Sequence, residues 1–167
     1  MKISFEVGVQ QNYPVAQLIY RPDEESFDMV PVPRGCVYSV LISHYFEIES
    51  DDARHVIRVG GLCPYLSWKL TESAPPEGNR GALIVTFEKE PQPGVSYQLE
   101  GTDEWPVLVN PRLGWVCIGE PTFVRPVVAV EFLKGCIAVV ENESLRAVWL
   151  HPESLPTEVT QQSEVGH

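Results

Sequence analysis

The chain has 167 residues, of which 44% are hydrophobic and 21% charged, a composition that excludes wholesale disorder and is typical of one globular domain. Its formal net charge of −11 opposes binding to phosphate backbones and anionic lipids, so neither nucleic acid nor a membrane is expected as a partner. The longest apolar runs fall far short of the ~20 residues that a membrane-spanning helix needs.

The first part of the chain predicts one clear strand and one long loop. Residues 2–9, KISFEVGV, alternate apolar and polar side chains and predict a half-buried strand. They contain no continuous apolar stretch of the kind found in secretory signals, so we expect a cytoplasmic protein. Residues 13–20 fit a short helix or an edge strand, and both alternatives stay open. Residues 21–35 show no sustained period and carry four acids, which predicts a surface loop.

The fifteen prolines and twelve glycines of the whole chain divide it into short segments, most of which predict strands. The sequence PQPG at 91–94 predicts a hairpin turn between two of them. We expect a single-domain antiparallel β-sandwich or partly closed β-barrel with little helix over residues 1–151, and a C-terminal tail, surface-lying or disordered, over residues 152–167. Strands are predicted at 36–49, 54–59, 65–70, 82–90, 95–100, 115–118, 127–133, 136–141 and 145–150.

Residues 43–64 hold two histidines, four acids and a cysteine, and so invite the hypothesis of a metal or catalytic site. If they form a hairpin that pairs Glu49 with Arg54, opposed residue numbers sum to 103. His44 and His55 then share the apolar face but lie roughly 13 Å apart, too far to bind one metal ion. Glu47 faces solvent in this register, beside arginines that favour ionised carboxylates. The hairpin therefore predicts a charge ladder, with no metal.

Other chemical signals in the sequence are weak. There is no G-x-S-x-G elbow, P-loop or H-E-x-x-H motif, and no cofactor is expected. The weak catalytic candidates are Glu131, which stands between apolar neighbours, and the two histidines His44 and His55. The four cysteines lie in or beside apolar runs and are expected to be buried, reduced thiols: Cys36, Cys63, Cys117 and Cys136.

The acidic loops and one tryptophan lead to a binding hypothesis. We expect a non-enzymatic acidic β-domain that binds a protein partner in an adaptor, inhibitor or immunity-like role, and its charge is compatible with a basic partner. Trp105 follows two acids and would serve as an anchor. The expected partner-binding residues are Asp23, Glu24, Glu25, Asp28, Asp103, Glu104 and Trp105.

Other functions stay open beside this one. The main alternative is a small-molecule-binding β-barrel or an enzyme whose pocket is lined by tryptophans, with Glu131, His44 or His55 inside it. A metalloprotein that draws His and Cys from separate strands is a third possibility, and it predicts stoichiometric metal. An exposed sheet edge would suggest a homodimer or strand addition by a partner.

Overall fold

The computed structural model describes residues 1–9 and 14–165 and is nearly all β, so the prediction of an all-β protein with little helix is confirmed. In chain order, the elements of these residues are β1 (Ile3–Gly8), β2 (Gln17–Arg21), β3 (Ser26–Val30), β4 (Tyr38–Ile42), β5 (Phe46–Ser50), β6 (Val56–Leu62), β7 (Lys69–Leu70), β8 (Asn79–Arg80), β9 (Ala82–Phe87), β10 (Ser96–Gln98), β11 (Val107–Asn110), β12 (Trp115–Gly119), β13 (Val128–Leu133), β14 (Cys136–Glu141), β15 (Ser144–Leu150) and α1 (Thr157–Val165).

The strands form three packed sheets. One holds β1 and β9, the second has the order β10-β4-β5-β6-β3-β2, and the third has the order β7-β11-β12-β15-β14-β13-β8. Most neighbours are antiparallel, while β10 with β4, β7 with β11 and β8 with β13 are parallel. The described residues form no closed barrel. Of the two predicted architectures, sandwich and partly closed barrel, the structure is consistent with the sandwich.

Large apolar side chains fill the interior. All three sheets contribute to one continuous core, in which Phe5, Phe46 and Phe132 are buried. A second, smaller cluster surrounds Trp149 on the seven-stranded sheet and includes the half-buried Phe123. Burial of this much apolar area is the main source of stability in such a domain.

The second half of the chain follows the sequence predictions closely. β14 has the predicted bounds, and β12, β13 and β15 each extend to within one residue of theirs. Asn142 and Glu143, which join β14 to β15, have φ angles of 48° and 66°. Two successive left-handed residues are typical of a type I′ hairpin turn, whose twist matches that of the flanking strands. The gap between the predicted strands at 136–141 and 145–150 is therefore a tight hairpin turn, and β15 begins one residue earlier, at Ser144.

The predicted loop at 21–35 is wrong at Arg21 and at residues 26–30, which belong to strands, while residues 22–25 are a surface turn. Residues 17–30 form a hairpin of β2 and β3, in which Leu18 pairs with Met29 and both are buried. The strand SFDMV alternates correctly, but five residues are too few for the pattern to stand out among the neighbouring acids. The ambiguous segment 13–20 contains strand from Gln17 onward, while Tyr13 lies outside the described residues.

The predicted strand at 36–49 is wrong, because it is two strands joined by a turn. Ser43 has a φ of 58°, and the chain reverses over residues 43–45 between β4 and β5. The hairpin register sum of 103 is also wrong, since Ile48 faces Val59 and Glu49 faces Arg58. The difference between the predicted and observed registers has a local cause in the turn. The Asp51 carboxylate accepts hydrogen bonds from the Ala53 and His55 amides, and the pairing of β5 with β6 is irregular between Glu49 and Ser50.

Three other segments differ from the predictions. Residues 65–70 are a 3₁₀ turn at Tyr65–Ser67 followed by the short β7, not one strand. The PQPG sequence does not join a hairpin, because β9 pairs with β1 while β10 pairs in parallel with β4. β11 was missed altogether. β7, β9 and β10 each pair with a strand that is distant in sequence, which local turn chemistry does not encode. β11 instead pairs with the next strand, β12, and its four residues are too few for the strand pattern to stand out.

The C-terminal segment packs on the body of the domain. Pro152, Pro156 and Val159 are buried, and the Glu153 amide donates a hydrogen bond to the Leu18 carbonyl of β2. The helix α1 covers residues 157–165, and residues 166 and 167 lie outside the described part of the chain.

Candidate functional site

One end of the six-stranded sheet gathers four connections. β2, β4, β6 and β10 run in the same direction, and β3 and β5 run against them. The last residues of the first four strands therefore lie beside the first residues of the other two. We call this surface the loop end, and it consists of residues 22–25, 43–45, 63–67 and 99–106.

Hydrogen bonds tie two of these connections together. The hydroxyl of Thr102 is buried, accepts a hydrogen bond from the Ser43 amide (3.1 Å) and donates one to the Leu99 carbonyl (2.8 Å). The Gln98 side-chain amide donates to the Ser43 carbonyl (3.0 Å) and to the Thr102 hydroxyl (2.9 Å). These bonds hold the left-handed residue Ser43, and with it the 43–45 turn, against the 99–106 connection.

The other two connections are joined at Cys63. Its backbone amide donates a hydrogen bond to the Glu25 carbonyl, and its carbonyl accepts one from the Tyr20 hydroxyl, both at 2.7 Å. Burial raises the pKa of the Cys63 thiol to about 12, so this sulfur is a protonated packing group at neutral pH. All four cysteines are free, and all but the half-buried Cys36 are buried.

A groove of about 220 Å³ lies in the middle of the loop end. Residues 43–46 form one wall and residues 62–64 with Ser67 form the other, while Val107 of the seven-stranded sheet also lines it. Three large apolar side chains in and beside these walls are exposed: Tyr45 is 64% exposed, Leu62 41% and Leu66 80%. Apolar side chains exposed together in this way mark surfaces that contact other molecules.

Carboxylates surround the groove. The four connections of the loop end contain no lysine or arginine, and His44 is their one histidine. More than half of the chain's net charge of −11 is therefore concentrated here. The acids are Asp23, Glu24 and Glu25 on one side and Glu100, Asp103 and Glu104 on the other.

Six of the seven expected partner-binding residues belong to the loop end: the acids Asp23, Glu24, Glu25, Asp103 and Glu104, and Trp105. Trp105 belongs to the loop end but is half-buried, packs against the main core and approaches Gly119 closely. Asp28 lies along β3, where its carboxylate is 3.5 Å from the Arg21 guanidinium and 3.7 Å from that of Arg58. Because two cations neutralise it, Asp28 adds little to the acidic surface.

The weak catalytic candidates lie in three different places. His44 is exposed in the 43–45 turn, and His55 is half-buried at the opposite end of the sheet, where it bridges to Ile84. Their predicted positions on one apolar face of a hairpin are therefore wrong. Glu131 of β13 lines a separate open depression of about 390 Å³ with Trp115 and His151.

The predicted charge ladder exists in a different register. The Arg58 guanidinium donates a hydrogen bond of 2.6 Å to the Glu49 carboxylate, whereas Arg54 contacts Glu90 and lies over the Tyr38 ring. The Glu47 carboxylate accepts a hydrogen bond from the Ser39 hydroxyl at 2.6 Å. Each of these three carboxylates therefore has a structural partner.

The tryptophans of the described residues lie in different parts of the fold. Trp68 and Trp149 are buried in different clusters, and Trp115 stacks on the His151 ring at 4.7 Å. The three apolar residues of the loop end were missed by sequence reasoning. The turn that exposes Tyr45 carries no glycine or proline, and Leu62 and Leu66 stand in a run that resembles a continuing strand.

Comparisons with known proteins give no family or relative from which a function of the loop end could be transferred. The chain matches no protein-family model, and no curated protein is significantly similar to it in sequence. Within residues 1–9 and 14–165, no three His, Cys, Asp or Glu side chains are grouped so as to hold a metal ion. The same residues include no helix with the length and apolar character to cross a membrane.

Proposed function

We propose that this protein is a non-enzymatic cytoplasmic binding domain that recognises a basic protein partner through the loop end, in an adaptor, inhibitor or immunity-like role. The observation that carries the proposal is the meeting of both acidic loops around exposed apolar side chains at one end of the sheet. An apolar centre with a charged rim is the usual anatomy of a protein interface.

The charge of this surface supports a basic partner. Six carboxylates without a basic residue in the same connections produce a negative field that extends about 10 Å into solvent at 0.1 M salt. Such fields raise association rates from about 10⁶ to as much as about 10⁸ M⁻¹s⁻¹ at low salt. The acids therefore act mainly on the rate of encounter, while Tyr45, Leu62 and Leu66 supply the area that desolvates.

The sheet edges offer a partner less than the loop end does. β7 and β8 have two residues each and β10 has three, which is short for strand addition. At the longer edge strand β2, the Leu18 carbonyl already accepts a hydrogen bond from Glu153. β1 and β9 of the two-stranded sheet have six residues each, but the Phe5 amide of β1 already donates to the Glu143 carbonyl and the Val85 amide of β9 to the Arg54 carbonyl. We therefore favour the loop end as the binding surface.

The test is a pull-down from the source cell's lysate at about 50 mM and about 300 mM salt, with bound proteins quantified by mass spectrometry. Two variants with the same change in net charge are compared with the wild type. The loop-end variant reverses four exposed acids: Asp23→Lys, Glu24→Lys, Asp103→Lys and Glu104→Lys. The matched control reverses four exposed acids elsewhere: Glu6→Lys, Asp52→Lys, Glu72→Lys and Glu88→Lys.

We expect a basic protein that the wild type and the control capture at low salt and that the loop-end variant loses by tenfold or more. Equal loss in both variants would show that net charge, and not the loop end, drives the association. Equal capture by all three proteins would contradict the proposal directly.

Small-molecule binding is a second candidate function, and one observation favours it. The depression beside Glu131 has a volume within the range of ligand pockets and a Trp115–His151 stack in its wall. Bound metabolites can be identified by native mass spectrometry of the purified protein. A small molecule bound by the wild type and lost in Trp115→Ala would move this function ahead of partner binding.

A further inference from the structure

The groove of the loop end has the size of a site for one side chain. Its volume of about 220 Å³ lies below the range of about 300 to 1,000 Å³ that is usual for pockets holding drug-sized ligands. Phe46, Leu62 and Val107 make much of its lining apolar. A single large aliphatic or aromatic side chain matches both the volume and the chemistry.

Both walls of the groove are held in place before any partner arrives. The 43–45 turn is fixed by the Thr102 hydroxyl and the Gln98 amide, through bonds of 2.9 to 3.1 Å to each other and to Ser43. The opposite wall is fixed at Cys63 by the Tyr20 hydroxyl. A preformed groove spares an incoming side chain the entropic cost of ordering the protein around it.

The acidic connections beside the groove favour positively charged residues on either side of the inserted side chain. The carboxylates stand on both sides of it, in the connection at 22–25 and in the connection at 99–106. A segment that crosses the groove passes between these two acidic connections, so positive charge is favourable before and after the inserted residue. An acidic or purely apolar segment lacks this complementarity.

We propose that the groove receives one large apolar side chain, such as Leu, Met or Phe, from a partner segment that carries lysine or arginine on both sides of it. This inference rests on the proposed function and extends it from a surface to a recognition pattern. The apolar residue enters between Tyr45 and Leu62, and the flanking cations lie over the two acidic connections.

The experiment uses two nine-residue fluorescent peptides that differ only at the central position, Leu or Ser, with four lysines on each side. Binding to the full chain is followed by fluorescence anisotropy at about 50 mM salt. Ser67→Trp places a large ring in the groove wall, and Ser144→Trp is the matched control at an exposed position at the start of β15. Circular dichroism checks that both variants keep the fold.

We expect the Leu peptide to bind about tenfold more tightly than the Ser peptide, because the leucine side chain is removed from water. Ser67→Trp reduces this ratio to about one, while Ser144→Trp leaves it unchanged. A wild-type ratio near one overturns the groove inference, as does an equal effect of the two variants. Failure of both peptides to bind overturns the proposed occupant.

The same assay separates the two proposals. If the four-residue loop-end variant binds both peptides as well as the wild type does, charge at the loop end is irrelevant and the proposed function itself fails. If that variant loses both peptides while the wild type does not distinguish Leu from Ser, the acidic surface stands and only the groove inference is overturned.

Discussion

Replacing Thr102 by valine tests whether the hydrogen bonds between the loop-end connections stabilise the fold. The substitution keeps the shape of this buried side chain and removes only its hydroxyl. The Ser43 amide loses its partner at a partly buried position, and the Leu99 carbonyl loses a buried donor but keeps the Thr102 backbone amide and the Gln98 side-chain amide. Gln98 loses less, because its side-chain amide still reaches the Ser43 carbonyl. At about 1 kcal/mol for each of the two main bonds, we expect the free energy of unfolding to fall by about 2 kcal/mol.

Urea unfolding followed by tryptophan fluorescence measures this difference, and the melting temperature should fall by about 6 °C. Thr102→Ser keeps the hydroxyl and loses one buried methyl group, so it should cost about 1 kcal/mol. Thr86→Val makes the same chemical change at an exposed position of β9 and should alter stability by less than about 0.5 kcal/mol. If Thr102→Val is as stable as Thr86→Val, the hydroxyl does not hold the loop end together.

Two further predictions concern the backbone and the buried thiols. Gly61 has a φ of 117°, and a Cβ there would lie 2.3 Å from the Tyr45 carbonyl oxygen, so Gly61→Ala should lower the free energy of unfolding in urea by about 3 kcal/mol. Gly94 has a φ of 77° but open space around it, so Gly94→Ala should lower it by about 1 kcal/mol. Equal losses in the two variants would contradict the steric argument. Burial raises the pKa of the Cys63 thiol in the folded protein to about 12, so its contribution to stability is complete below about pH 8.5 and is lost as the pH rises towards 12. The urea midpoint should therefore be lower at pH 10 than at pH 8 under reducing conditions, and a constant or rising midpoint would refute the burial argument.

Strand prediction succeeded in the second half of the chain, from β12 to β15. Most strands there that follow each other in the chain are also neighbours in the sheet, and each has five or more residues, most of them apolar. Turn chemistry at residues 142 and 143 then agrees with the pattern on both sides. In the first half of the chain, the same rules merged β4 with β5 because the turn between them contains no glycine or proline.

The candidate site also has one part that the sequence predicted and one part that it did not. The acidic composition of the two loops was evident from the sequence, and five of the six expected acids lie together at the loop end. The apolar centre of that surface was not evident, because Leu62 and Leu66 became exposed only where β6 ends and a 3₁₀ turn follows. Asp28 was misassigned for a related reason: its arginine partner Arg58 is 30 residues away and reaches it only across paired strands.

The sequence by itself determined the class of the fold, the polar and apolar faces of its longer strands, and the sign of the surface charge, because these follow from residue types and from spacings of one or two positions. Tertiary structure alone decided which loops meet. Ser43 and Thr102 are 59 residues apart, and their hydrogen bond exists only because β10 lies in parallel beside β4. Such a pairing depends on burial and hydrogen bonding across the whole domain, and no local propensity specifies it.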